Sequence, residues 1–253
     1  MVTLILCLKA RDCIVISADS LTSLGGKIVS CTTEKLHQVG TDAVTVSCGL
    51  SRVNDKGWGT ILADFPAPPK GTAIAATVSR LQAFLNEIIG RVPKSNVGAC
   101  QGGNTFLLAG HDVANSGMAV TQLTRLGDRR QFEAATTVSN ASDHDYIEWI
   151  GDTTPVSTYI ASKTALYDLD MPQDAAVEFA IKAIIDGIAA SLAAGNHTIG
   201  GEFVSVALVS ASNVTSSRHP TGIPCMVTAL TGSSIVPPDH ASPLAGSECR
   251  YQI

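Results

Sequence analysis

The chain has 253 residues, of which 45% are hydrophobic and only 15% charged, with a formal net charge of −5. No basic run exceeds Arg129-Arg130, so the charge that a phosphate backbone demands is missing and a nucleic-acid partner is excluded. No stretch reaches the roughly 18 uninterrupted apolar residues of a membrane span, and the apolar start at Met1–Lys9 lacks the parts of a secretory signal, so the expectation is a cytoplasmic protein without a membrane partner.

Two runs rich in aliphatic and β-branched residues come first, Leu4–Leu8 and Cys13–Ser17, with a polar break at Lys9–Asp12. They predict a hairpin whose strands are buried on both faces, since apolar residues occupy nearly every position rather than every second one. Gly25-Gly26 marks a turn, and Ala43–Cys48 predicts a further strand ending at Gly49. From Thr72 the period becomes helical, with Ile74, Val78, Leu81, Leu85 and Ile88 on one stripe, and Gly90 and Pro93 close the helix. A glycine loop at Gly102-Gly103 leads into a strand over Asn104–Gly110, and weaker alternation near 117–124 and 131–138 predicts two more.

A second helix is expected after Asp152-Thr153-Thr154-Pro155, where Asp or Thr caps and Pro suits the first turn. A third, Ala-rich helix follows Met171-Pro172-Gln173-Asp174 and stops at Ala193-Ala194-Gly195. Strands return at Phe203–Val209 and at Cys225–Leu230. Strands, two helical blocks and strands again predict a layered α+β domain over residues 1–232, with an extended or disordered tail over 233–253. The low charge fraction favours an oligomer that covers part of the surface.

Seven cysteines with irregular spacing and no Cys-x-x-Cys pair read as free thiols in a reducing compartment. The six histidines are dispersed, so no metal is expected, and nothing in the sequence calls for a cofactor.

The chemistry is concentrated near the start. Thr3 supplies a hydroxyl, Asp19 an acid directly after a buried strand, and Lys35 a cation before another. A hydroxyl nucleophile needs a base, and a residue at a free N-terminus brings one, because an α-amine titrates near 7.7–8.0. Lys35 suits the task of polarising the hydroxyl and lowering that amine's pKa, Asp19 that of holding Lys35, and the Gly49 N–H that of an oxyanion donor.

The segments Thr3-Leu-Ile-Leu, Ile16-Ser17-Ala18-Asp19-Ser20, Lys35-Leu36 and Ser47-Cys48-Gly49 together resemble the proteasome β-type subunits of the N-terminal-nucleophile hydrolases. In that family the acid, the lysine and the oxyanion glycine stand 16, 32 and 46 residues after the threonine, which are the offsets of Asp19, Lys35 and Gly49 from Thr3. Trp149-Ile150-Gly151 and Ile199-Gly200-Gly201 extend the similarity, which spans roughly residues 3–210. It implies a four-layer αββα sandwich, a threonine peptidase working through an acyl-enzyme, Ser23, Gly49 and Ser51 as backbone contacts to an extended peptide or unfolded protein, and a ring-type homo-oligomer, with an ATP-dependent unfoldase partner left open. Asp152 stands where active relatives carry a supporting serine, and Asn196 and Ile199 where they carry an acid and a serine. Asn196 is then the residue expected to hydrogen-bond the amine, with Asp152 in support. Met1-Val2 precedes Thr3, so the mechanism requires a further cleavage, with Thr3 attacking its own preceding carbonyl. Two other readings use the same residues: a noncatalytic structural subunit, and an amidase or transpeptidase with the same acyl-enzyme chemistry.

Overall fold

In chain order the protein forms β1 (Leu4–Ala10), β2 (Cys13–Asp19), β3 (Thr22–Leu24), β4 (Lys27–Ser30), β5 (Leu36–Val39), β6 (Ala43–Gly49), β7 (Arg52–Val53), β8 (Lys56–Gly57), α1 (Trp58–Ala63), α2 (Ile74–Gly90), β9 (Asn104–Asp112), β10 (Gly117–Arg125), β11 (Glu133–Ser139), β12 (Ile147–Gly151), α3 (Ser157–Thr164), α4 (Gln173–Ala193), β13 (Phe203–Ser210) and β14 (Val214–Pro220). The computed structural model describes residues 3–24, 27–49, 52–54, 56–92, 103–112, 117–126, 129, 131–139, 147–151, 153, 156–211 and 213–223. The fold is mixed α and β. One antiparallel sheet runs β12-β1-β2-β13-β14 and a second runs β11-β10-β9-β6-β5.

The first hairpin is as expected, except that its turn is only Arg11-Asp12. Lys9 and Ala10 stay in the ladder because Ile14 and Cys13 stand opposite to pair with them. Every residue of β1 and β2 is buried, and the reason is visible in the packing. Ile5, Cys7, Ile14 and Ile16 join Val44, Val46, Leu107 and Ala109 of the other sheet in one cluster. The alternate residues Leu4, Leu6, Leu8 and Val15 join Ala180, Ile184 and Ile188 of α4 in another. A strand covered on both faces has no polar positions to alternate with.

The outer face of the second sheet is covered by α1 and α2, where Trp58, Ile61, Leu81 and Leu85 meet Phe106 and Leu108. The α2 stripe departs from expectation at its end: Ile89 is buried and Ile88 only partly so, because one turn on from Leu85 falls on residue 89. In α4 the buried face carries Ala176, Ala180, Ala183 and Gly187. These small residues let the helix axis approach the sheet, and a Cβ on Gly187 would stand 2.8 Å from Leu4 Cδ2. Gly195 follows the C-cap at φ 74°, the left-handed residue that ends many helices.

The second helix begins later than the sequence suggested. Its N-cap is Val156, which makes no side-chain cap, so Thr153 does not fill that role, and Asp152, Thr154 and Pro155 lie outside the described residues. So do Gly25-Gly26, Gly102, the strand expected over Cys225–Leu230 and the tail over 233–253. Several elements had no counterpart in the sequence reading: the short strands β3, β4, β7 and β8, and also α1, β12 and β14. β14 is polar and mostly exposed over Thr215–Arg218, so its strand character comes from the ladder with β13 rather than from any apolar period.

Cys7, Cys13 and Cys48 are free thiols, but Cys31 is disulfide-bonded, which corrects the reading of all seven as free. No helix of the described residues is long and apolar enough to cross a membrane.

Candidate functional site

The hairpin register brings the first residues of β1 beside the last of β2, since Ile5 pairs with Ala18. Thr3 and Asp19 therefore share one end of the sheet. The Asp19 carboxylate closes that end: its Oδ1 accepts the Leu4 N–H at 2.9 Å and the Thr3 hydroxyl at 3.0 Å. Lys35 reaches in from the residue before β5, placing Nζ 2.6 Å from Asp19 Oδ1 and donating to Thr3 Oγ1 as well. Hydroxyl, carboxylate and ammonium thus form a closed triangle from three separate segments.

All three side chains are cut off from bulk water, with Thr3, Asp19 and Lys35 at 0%, 1% and 1% exposure. Burial lowers the Lys35 pKa below the ordinary lysine value, and the adjacent Asp19 charge opposes that shift. A buried ion pair of this kind depends on both partners, because either charge left alone pays its full desolvation cost.

The fourth donor to Asp19 comes from a distant part of the chain. Gly200 N–H donates to Asp19 Oδ2 at 3.0 Å, while the Gly200 carbonyl accepts Ser20 N–H and Leu21 N–H. The sequence reading used Ile199-Gly200-Gly201 only to extend the family resemblance and gave Gly200 no part in the site. Its only local signal was two adjacent glycines, which says nothing about which carboxylate an amide will meet.

Gly49 ends β6 at φ +96°, and a Cβ there would lie 2.1 Å from the Gly103 carbonyl oxygen. Its absence of a side chain is thus demanded by β9 as well as by any approaching ligand. Asn104 Nδ2 donates to the Cys48 carbonyl at 2.8 Å. A trans peptide sets its C=O and N–H on opposite sides, so this bond turns the Gly49 N–H away from the Asn104 amide. Asn104 is a second residue that sequence reasoning missed.

Ser23 lies on β3, buried and opposite Ile28. Ser51 and Asp152 lie outside the described residues. Asn196 is not brought into the triangle: its carboxamide oxygen accepts the Thr198 N–H and the Thr198 hydroxyl, folding the loop after α4 onto itself. Ile199 is buried against the α4 side of the sheet. The Cys48 thiol is close enough to feel the Lys35 charge, and burial pushes its pKa up against the opposing influence of Thr105 and Lys35, which disfavours the thiolate a nucleophile requires. Among the described residues no group of three or more His, Cys, Asp or Glu gathers as a metal site would.

No family model matches the chain, and no curated protein matches it.

Proposed function

We propose that the chain is a divergent threonine-type N-terminal-nucleophile hydrolase of the proteasome β kind, built as a four-layer αββα sandwich and cleaving peptide bonds in peptides or unfolded protein. The observation that carries this reading is the buried triangle of Thr3 hydroxyl, Asp19 carboxylate and Lys35 ammonium. The hydroxyl is held within hydrogen-bonding reach of both charges, the arrangement that a nucleophile polarised by a lysine requires. Support also comes from the three clusters of apolar side chains, one drawn from both sheets and one between each sheet and its helices.

In the proposed reaction Thr3 Oγ1 first attacks the Val2 carbonyl, and the Val2–Thr3 carbon–nitrogen bond breaks to leave an ester on Oγ1. Water hydrolyses that ester, so that Thr3 gains a free α-amine and its hydroxyl is restored. That amine takes the hydroxyl proton as Thr3 Oγ1 bonds to the substrate carbonyl carbon, and the Gly49 N–H faces the oxygen that becomes negative. Collapse breaks the carbon–nitrogen bond, and the amine's proton passes to the departing amino group. Water then adds to the ester carbonyl, its proton going to the same amine; the carbon–Oγ1 bond breaks, the amine returns that proton to Thr3 Oγ1, and the acid product leaves. Lys35 stays beside Thr3 Oγ1 throughout and favours the neutral amine electrostatically. The working form is proposed as a cytoplasmic homo-oligomeric ring.

A noncatalytic subunit is the second reading, and it is favoured by the complete burial of Thr3 and by the engagement of Asn196 with Thr198. Intact mass and N-terminal sequencing separate the two. The proposal expects a wild-type chain that begins at Thr3 and takes one equivalent of a β-lactone there, while Thr3→Ala retains Val2 and takes none. A wild-type chain that keeps Val2 and resists the lactone decides for the noncatalytic subunit.

Asn104→Leu tests the oxyanion assignment. Freed from its amide partner, the Cys48–Gly49 peptide reorients, and labelling of Thr3 slows by roughly 10- to 100-fold, less than the loss of an oxyanion donor outright. Labelling at the wild-type rate would remove the Gly49 N–H from the mechanism.

A further inference from the structure

Ser20 directly follows Asp19 and is fully buried, yet every polar group it has is engaged. Its N–H donates to the Gly200 carbonyl at 3.1 Å, and its carbonyl accepts the Thr33 N–H at 2.9 Å. Its hydroxyl donates to the Cys31 carbonyl at 2.7 Å and accepts the Phe203 N–H at 3.1 Å. Those partners fall on two segments. Cys31 and Thr33 belong to the stretch that delivers Lys35, and Gly200 and Phe203 to the stretch whose amide binds Asp19.

The fit around the hydroxyl is close. A Cβ on Gly201, which has φ +116°, would stand 2.2 Å from Ser20 Oγ and 2.8 Å from Leu21 N. The Glu202 N–H also donates to the Cys31 carbonyl at 2.9 Å, so this carbonyl joins the two segments a second time. A larger side chain at 20 has no room, and a smaller one leaves the part-buried Phe203 N–H without the Ser20 hydroxyl and the Cys31 carbonyl with one donor fewer beside the Glu202 N–H.

We infer that Ser20 is a positioning residue for the Thr3–Asp19–Lys35 site, its hydroxyl tying the strand that carries the acid to the segments that carry the lysine and the Gly200 amide. As a statement about reactivity this rests on the proposed threonine chemistry; as a statement about geometry it stands apart from it. Ser20 touches none of the reacting atoms. It acts through Asp19 and Lys35, setting where their charges sit relative to the Thr3 hydroxyl.

The test is carried out on the full chain with isotope-labelled lysine, reading the Lys35 side-chain resonance against pH beside the rate of β-lactone labelling at Thr3. The titratable groups acting on Lys35 are Asp19 from β2 and Cys48 from β6. In Ser20→Ala the tie opens, water enters, and the Lys35 titration moves up toward that of exposed lysines; labelling slows by roughly 10- to 100-fold, as expected when a reacting group is displaced by about an ångström. Ser20→Cys, close in size with a weaker donor, falls between, and it provides the same readings should Ser20→Ala not fold. Thr221→Val removes the hydroxyl that donates to the Gly201 carbonyl in the same loop at 2.8 Å. That variant loses stability while leaving the Lys35 titration and the labelling rate at their wild-type values.

An unchanged Lys35 titration in both Ser20 variants overturns the inference, as does a shift of equal size in Thr221→Val. Wild-type Thr3 that never labels, with a Lys35 titration that still moves in the Ser20 variants, sinks the hydrolase reading and upholds the positioning role.

Discussion

Asp19→Asn lowers the stability of the folded chain by roughly 3–5 kcal/mol near neutral pH, the cost typical of removing one partner of a buried ion pair. Asparagine keeps the shape but offers one acceptor oxygen where the carboxylate offers two, so either the Leu4 or the Gly200 amide loses its partner, and Lys35 is left charged and surrounded by protein. The pH dependence gives the test its specificity. Burial sets the folded Lys35 pKa below its ordinary value of 10.5. A lysine with a depressed folded pKa binds fewer protons in the folded state, so stability rises with pH between that value and 10.5. Below the folded pKa the cost of the buried charge is complete; above 10.5 it is gone.

Removing the Asp19 charge deletes the main influence opposing the shift, so the window widens toward lower pH. Denaturant midpoints of wild type, Asp19→Asn and Lys35→Met from about pH 6 to about pH 10 measure this directly. The wild-type and Asp19→Asn curves should converge as pH rises, and the Lys35→Met curve should lack the alkaline slope. Equal midpoints for wild type and Asp19→Asn across the range would mean that the pair contributes nothing to holding the site.

Gly151→Ala is expected to be comparably damaging, although the change is one methyl group. Gly151 stands opposite Leu4 in the β1–β12 ladder at φ +107°, a region that residues with a Cβ rarely adopt. The added Cβ would lie 1.9 Å from the Thr3 carbonyl oxygen and 2.8 Å from its carbon, and neither is the end of a flexible side chain that can move aside. Backbone strain and overpacking together suggest a loss of about 2–6 kcal/mol. If β12 shifts to relieve the clash, Thr3 moves with it, and β-lactone labelling should fall further than stability alone explains. Thermal melts paired with labelling of the fraction still folded separate the two effects. A stable Gly151→Ala chain that labels normally would show that the Thr3 backbone is not held against β12.

The Asp19 and Gly151 predictions differ in how much of their basis was legible beforehand. The offsets among Thr3, Asp19 and Lys35 were readable, and the structure brings those side chains together because each sits at the end of a strand or just before one. The contact between Gly151 and the Thr3 backbone was not, since β12 is only five residues long and was not expected as a strand at all. The surroundings of Asn196 were not legible for a related reason. Its position in the chain matched the expected partner of the amine, but Thr198, two residues on, offers its carboxamide a local hydrogen bond that no spacing argument weighs.

The sequence by itself determined the elements whose signal is local: the doubly buried β1–β2 hairpin, the periodic stripe of α2, the small-residue face of α4 and the apolar run of β13. Tertiary structure alone decided that Gly200 would hold Asp19 across 181 positions, that Ser20 would tie two segments to it, that the polar β14 would become a strand, and that Cys31 would not be a free thiol. Side-chain period reports which face of an element is buried, whereas a backbone N–H or carbonyl is present at every residue alike. Which of them meet is settled only when the layers close and each buried polar group must find a partner.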